Sequence, residues 1–209
     1  MSRILLLPHG TTGDVLPHIW IGRQMRERGH QVTLVWAEEF RAFAGRAGLE
    51  FVALEEDGFQ QLIENPVLWR PHEGMKLSND YAGRCTAKYV NAALADMASH
   101  GRADLLVAPL ITYGARVLRE KLGIPLISAH VHPFQFMSAH EVPSGIPAAG
   151  WLRRLPIFVR KALMNAAAPY DRFAMPHLIE CCREHGVKPP RRLRDWWHSP
   201  DGVLALFPE

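Results

Sequence analysis

The sequence predicts an α/β protein, a Rossmann-like, doubly wound parallel sheet. Three observations carry this. Its short apolar runs are continuous rather than alternating, as strands buried on both faces are. Stretches with helical spacing separate those runs. Glycine or proline stands at most of the junctions.

Ile4-Leu5-Leu6-Leu7, ended by Pro8, reads as the first strand. A loop from His9 to Asp14 follows. Val15, Leu16, Ile19, Ile21 and Met25 then recur at helical spacing, and Gly29 stops that helix. Gln31 to Trp36 is a second strand, Glu38 to Ala47 a second helix closed by Gly48, and Leu49 to Leu54 a third strand. Pro66, Pro71 and Gly74 punctuate residues 55–75, and residues 76–100, free of proline, read as one long helix. Alternation resumes with a strand from Asp104 to Ala108, a helix from Tyr113 to Leu122 and a strand from Leu126 to Ala129. Residues 130–150 form a loop rich in Pro, His and Phe. Residues 151–168 and 170–185 look helical, with Pro169 and Pro176 as breaks, and Val203 to Phe207 is a last strand-like run. The chain stops at Pro208-Glu209, directly after that run, so a second domain is expected beyond it.

With 209 residues, 48% hydrophobic and 22% charged, the composition is that of one ordinary globular domain. The net charge of +3 is too small for a dedicated nucleic-acid binder. It is also uneven: residues 1–150 carry 14 Lys/Arg against 15 Asp/Glu, and residues 151–209 carry 10 against 6. Arg191, Arg192 and Arg194 stand beside Trp196 and Trp197 without a nucleic-acid recognition motif, so no such partner is expected. Cys85, Cys181 and Cys182 form neither a disulfide framework nor a metal-binding pattern, and Cys181 and Cys182 suit helix packing. No stretch approaches the roughly 18 apolar residues of a spanning helix. A cytoplasmic chain is expected, with a possible peripheral position at the inner face of the membrane. The basic and aromatic stretch 151–161 would make that contact, although an ordinary surface helix would read the same way.

Chemistry concentrates in His9-Gly-Thr-Thr-Gly-Asp14, at the carboxyl end of the first strand, where open parallel sheets bind ligands. Gly10 and Gly13 let backbone approach a ligand closely, and Thr11 and Thr12 offer hydroxyls. Asp14 stands at the helix start, where it can cap free N–H groups or serve as a general base. Desolvation in a cleft would raise its pKa and the helix dipole would lower it, so local sequence does not fix the sign. The loop is neither GxGxxG nor a P-loop, which disfavours a dinucleotide dehydrogenase or a P-loop kinase. A second candidate cluster, His130-Val-His132-Pro-Phe-Gln-Phe-Met137, follows the fifth strand. His130 and His132, two apart in extended chain, would face the same side. No nearby carboxylate or cysteine completes a metal set, and no metal is expected. The loop reads as the wall of a pocket, with Phe134, Phe136 and Met137 apolar and a histidine polar, or else as plain core packing.

Gly10-Thr-Thr-Gly-Asp-Val-Leu-Pro17, Arg28-Gly-His-Gln-Val32 with Phe40, Ala103-Asp-Leu-Leu-Val-Ala108, Glu120-Lys-Leu-Gly-Ile-Pro125 and Arg194-Asp-Trp-Trp-His-Ser-Pro-Asp-Gly-Val-Leu-Ala-Leu-Phe-Pro208 together resemble the N-terminal half of GT-B glycosyltransferases. The group in question holds sterol glucosyltransferases and antibiotic-aglycone glycosyltransferases. The last stretch, with Ser138-Ala-His140, is most similar to the subgroup of rhamnosyltransferases that act in rhamnolipid synthesis. The order and spacing of these motifs cover essentially the whole sequence. Thr12 departs from the pattern, since many members carry Arg or another residue there.

The resemblance implies that residues 1–209 are an acceptor-binding domain, with 130–200 on the acceptor side. A C-terminal domain absent from this chain would bind most of the donor, a nucleotide-diphosphate sugar, and no cofactor would be tightly bound. It implies inverting transfer of the sugar to a hydroxyl of a hydrophobic acceptor: a lipid, sterol or polyketide-like molecule. Asp14 matches the family's base position, with His9 and His18 as fallbacks. Gly10, Thr11, Thr12 and Gly13 would face the donor, and His130, His132, Phe134, Phe136 and Met137 the acceptor. The fragment alone would be inactive. The alternative class is a non-catalytic Rossmann-like module holding a small apolar ligand or a partner protein.

Overall fold

The computed structural model describes residues 1–55, 58–136, 138–140, 149–166 and 171–207, with the side chains of Pro71, Phe134, Ala149, Asn165 and Ala166 outside that description. Among the described residues six parallel strands form one sheet: β1 (Arg3–Leu6), β2 (Gln31–Trp36), β3 (Glu50–Ala53), β4 (Leu105–Ala108), β5 (Leu126–His130) and β6 (Val203–Ala205). Their order is β3-β2-β1-β4-β5-β6. β1 therefore lies at the centre, and the winding direction reverses between it and β4. Crevices form at such switch points because successive crossovers leave toward opposite edges. Leu5, Leu6, Leu34 and Leu106 are fully buried, as the unbroken apolar runs require.

Among the described residues there are seven α-helices: α1 (Thr12–Glu27), α2 (Arg41–Arg46), α3 (Phe59–Glu64), α4 (Pro71–His100), α5 (Tyr113–Leu122), α6 (Ile157–Ala166) and α7 (Asp171–Glu184). Among the described residues no helix is long and apolar enough to cross a membrane.

Several sequence-based boundaries shift. α1 begins at Thr12 rather than Val15, with Thr11 as the residue that precedes the helix. The long helix starts at Pro71, because proline fits the first helical position, where the missing N–H has no partner to lose. Residues 38–47 divide into a 3-10 turn and the short α2. The stretch expected to be helical over 151–168 is a 3-10 segment at Ala149–Arg154 followed by α6. Pro156 separates the two, since it cannot donate to a preceding turn. Pro176 is no break: α7 runs through it. Pro169 lies outside the described residues. α3, short and beside a gap in periodicity, was not visible in the sequence.

β6 is pinned by polar contacts. Asp201 receives Arg119 through two guanidinium nitrogens at 2.5 and 2.7 Å and accepts the Leu126 N–H at 3.0 Å. At the same amino-terminal edge, on β1, Asp104 accepts the Arg3 N–H at 2.8 Å, and the Arg3 guanidinium pairs with buried Asp96. Cys181 and Cys182 are buried in α7, and burial pushes their thiols up to about 12 and about 11.

Candidate functional site

The carboxyl ends of β1, β4 and β5 meet at the switch point. Thr112, before α5, donates its hydroxyl to the Leu7 carbonyl at 3.0 Å and ties the first two of these ends together. The loop after β1 rests on aromatic rings. Trp36, ending β2, donates its indole N–H to the Gly10 carbonyl at 3.0 Å and stacks parallel to Tyr89 of α4. His9 sits among Trp36, Tyr81 and Tyr89. The Tyr89 hydroxyl donates to the Pro8 carbonyl, so toward His9 it accepts, and His9 Nδ1 bears the proton across 3.3 Å. Burial pushes the His9 imidazole down to about 3. It is a neutral prop beneath the loop and does not face solvent.

Asp14 stands at the third residue of α1, not at the capping position. Its Oδ2 accepts the Thr11 N–H at 3.0 Å, satisfying a donor that the helix start leaves orphaned. Its side chain keeps 30% of its surface exposed, and Oδ1 faces His132 Nε2 at 3.4 Å. The capping role and an accessible oxygen therefore coexist in one carboxylate. Gly10 makes room for this. Its φ is +116°, and a Cβ there would meet Asp14 Oδ2 at 2.3 Å. A Cβ on Gly13 would meet nothing within 4 Å, so Gly13, with exposed Thr12, borders open space.

His18, one turn beyond Asp14, is fully buried and donates Nδ1–H to the Asp14 carbonyl at 2.8 Å. Its neutral ring then leaves Nε2 bare, and this atom has no hydrogen-bond partner among the described residues. Burial lowers its pKa more than that bond raises it.

His130 and His132 do not share a side, against the expectation from extended spacing. β5 ends at His130, and the chain turns through a 3-10 segment at Pro133–Gln135. His130 points into the core, where Nε2 meets His198 Nδ1 at 3.0 Å and burial pushes the ring down to about 4. His132, its side chain 47% exposed, points to Asp14. The described residues hold no group of three His, Cys, Asp or Glu side chains arranged for a metal.

Phe136 and His198 stack and help to line a cavity of about 380 Å³. Ser138, Ala139, His140, Ile157, Lys161, Met164 and Arg194 complete its wall. Asp14 and His130 do not line it. Of the five residues predicted for the acceptor pocket, Phe136 is on the wall, His132 lies at the Asp14 side of the same loop, and His130 is packed behind. Met137 and the Phe134 side chain lie outside the described residues. Sequence reading missed His198, Ile157, Lys161 and Met164 as pocket residues. No local signal marks them, since they come from segments 20 or more residues further along the chain.

Residues 4–140 match the model of the glycosyltransferase family 28 N-terminal domain. The chain belongs to that family. It is 25% identical over 150 residues to an uncharacterized glycosyltransferase of Mycobacterium tuberculosis, a match covering 70% of this chain and 36% of that protein. It is 40% identical over 55 residues to a sterol 3-beta-glucosyltransferase of Arabidopsis thaliana, covering 26% of this chain and 9% of the relative. In fold it resembles the calicheamicin glycosyltransferase, with a TM-score of 0.64 at 15% identity over 98% of this chain and 47% of that one. The chain thus spans about a third of the first relative and about half of the structural one. The architecture is the Rossmann-like N-terminal half of a GT-B glycosyltransferase.

Proposed function

We propose that the whole protein transfers a sugar, with inversion, from a nucleotide-diphosphate donor to a hydroxyl of a hydrophobic acceptor. This chain is its acceptor-side domain. Asp14 is the general base, and the observation that carries this reading is its geometry. One oxygen is anchored on the Thr11 N–H, and the other is accessible at the switch point of the sheet. The base removes the acceptor proton as the hydroxyl oxygen attacks the anomeric carbon. The nucleoside diphosphate departs from the opposite face with the bonding electron pair, which inverts the centre. Buried His9 and His18 are less suited to the task, because each holds its one proton in an internal hydrogen bond.

The exposed edge of the loop at Thr12 and Gly13 faces the donor, and α1's N-terminus favours its negative charge. Most donor contacts belong to a C-terminal domain, for which the extra length of the relatives leaves room. The fragment alone is therefore inactive. The acceptor lies in the cavity between the loop after β5 and α6, where Phe136, Ile157 and Met164 supply apolar wall. The same helix meets the membrane. Phe158 is 72% exposed and Trp151 is 55% exposed, and residues 149–166 carry four cationic side chains and no carboxylate.

The test is nucleotide-diphosphate release by full-length protein with UDP- and dTDP-sugars and a panel of sterol, hydroxy-fatty-acid and macrolide acceptors. Turnover on a panel member, absent from residues 1–209 alone and lost in Asp14→Asn, is the expected result. Turnover by the fragment refutes the division of labour, and an active Asp14→Asn variant refutes the base.

A further inference from the structure

We infer that Asp14 and His132 work as a proton-sharing pair, with His132 as a positioning residue that takes over the proton Asp14 removes. The inference rests on the proposed base role of Asp14 and deepens it. Four observations lead to it.

First, the carboxylate's two oxygens have different work. Oδ2 holds the Thr11 N–H at 3.0 Å and also lies 3.4 Å from the Thr11 hydroxyl, so Oδ1 is left for chemistry. Second, the group beside Oδ1 is His132 Nε2, at 3.4 Å, and catalytic hydrogen bonds that are long without substrate commonly tighten when it binds. Third, the His132 backbone is held. Its N–H reaches Gln135 Oε1 at 3.4 Å, and Gln135 N–H reaches the His132 carbonyl at 3.2 Å, so the ring projects from a closed turn. Fourth, the other histidines near the site are engaged elsewhere: His9 on Tyr89, His18 on the Asp14 carbonyl and His130 on His198.

A carboxylate is by nature a weak base toward a sugar-acceptor hydroxyl, and an imidazole ordinarily holds a proton about two pH units more tightly. Coupling the two lets the proton rest on the stronger base while the carboxylate's charge stabilises the cation that forms. Atoms and electrons balance in this step. The acceptor O–H bond breaks and its oxygen bonds the anomeric carbon. The anomeric C–O bond to phosphate breaks, and nucleoside diphosphate leaves with the electron pair. The proton crosses Asp14 Oδ1 to His132 Nε2, giving carboxylate and imidazolium, and returns to solvent from the half-exposed ring. The reactive form is the neutral tautomer with its proton on Nδ1. Solvent reaches the ring and lets tautomers exchange.

The experiment is the pH dependence of kcat in full-length protein, using the donor and acceptor that turn over in the panel above. Wild type is compared with His132→Gln, His132→Ala and Asp14→Asn, each checked for an unchanged melting temperature. His132→Gln keeps a polar side chain of similar reach but accepts no proton. We expect kcat about 10–100-fold lower in both His132 variants with KM for the donor unchanged, and loss of the acid limb of the profile. Added imidazole restores His132→Ala and not Asp14→Asn. If Asp14→Asn is inactive while His132→Gln keeps kcat within threefold and the wild-type profile, the pair is refuted and the base stands. If Asp14→Asn keeps kcat within tenfold, the base reading fails and takes this inference with it.

Discussion

Two rims of the same sheet are built differently. The rim after β1 is closed by internal contacts. Trp36 grips the Gly10 carbonyl, Thr112 grips the Leu7 carbonyl, and Asp14 grips the Thr11 N–H. The region after β5 is open. Its 3-10 segment and α6 leave Trp151, Phe158 and Leu163 exposed and enclose a cavity whose wall comes from separate stretches of sequence. Reaction chemistry needs atoms fixed to a fraction of an ångström, whereas recognition of a hydrophobic acceptor needs adaptable apolar surface. On the proposed function the two tasks fall on separate rims, joined by the loop that carries His132 and Phe136.

The largest effect should come from the closed rim. Asp14→Ala in full-length protein is expected to lower kcat by about 10²–10⁴-fold, the worth of a positioned general base, with donor KM little changed. It also loses the Thr11 contact, so its stability falls by about 0.5–2 kcal/mol, as for other helix-start substitutions. Chemical denaturation separates the two losses.

Gly10→Ala breaks the same rim from beside it. The new Cβ would overlap Asp14 Oδ2, and φ is +116°, which an L side chain rarely adopts. Stability should fall by more than about 1 kcal/mol, since Ala is incompatible with the native conformation. kcat should fall as the carboxylate is displaced. Gly13→Ala meets open space and lies in the helix, so the fold should tolerate it. A raised donor KM in Gly13→Ala with unchanged melting temperature would sharpen the assignment of that edge to the donor. Equal melting temperatures for the two alanine variants would break the contrast.

How much of this the sequence carried depends on the distance over which each feature is encoded. The strands at Ile4–Leu7 and Gln31–Trp36 and the helix at Tyr113–Leu122 were legible because burial on two faces or on one stripe writes itself into consecutive residues. The loop after the first strand was legible because it lies between an apolar run ended by Pro8 and residues at helical spacing, although its second half, from Thr12, proves to be the first turn of α1. The Asp14–His132 contact was not, since nothing in either segment encodes a meeting 118 positions apart. The separation of His130 from His132 was missed because it depends on where β5 ends, which the proline-rich segment obscures. His198 reaches His130 only because Asp201 and Ser199 seat β6 beside β5.

Acid should loosen both rims through buried histidines, His9 after β1 and His130 at the end of β5. His9 and His130 bind protons at about 3 and about 4 when folded, against about 6.5 when unfolded. The unfolded chain therefore holds more protons below about pH 6.5, and stability falls as the pH drops through that value toward about 4. Each ring contributes a slope of up to about 1.4 kcal/mol per pH unit. His9→Phe keeps an aromatic ring among Trp36, Tyr81 and Tyr89 and removes one proton from this linkage. Urea denaturation between pH 4 and 7 should show a shallower acid slope for that variant. An unchanged slope would mean that His9 is hydrated in solution.

The smallest expected effect belongs to the open region, and it tests whether that openness serves a membrane. Phe158 lies on α6 within a turn of Ile157 and Lys161, both on the cavity wall, so a bilayer bound at Phe158 would meet the acceptor pocket from its own side. A Lys or Arg near an anionic surface contributes about 1 kcal/mol, and a buried CH₂ about 0.8. Arg154→Glu and Phe158→Ser should each weaken binding of full-length protein to vesicles of one part phosphatidylglycerol to three of phosphatidylcholine by about 3–10-fold. Added salt should weaken Arg154→Glu less than wild type, because the variant has already lost part of the screened attraction. Wild-type binding that ignores both the anionic lipid and Phe158 would make the exposed apolar residues a docking face for protein, and the cavity would then fill from solution.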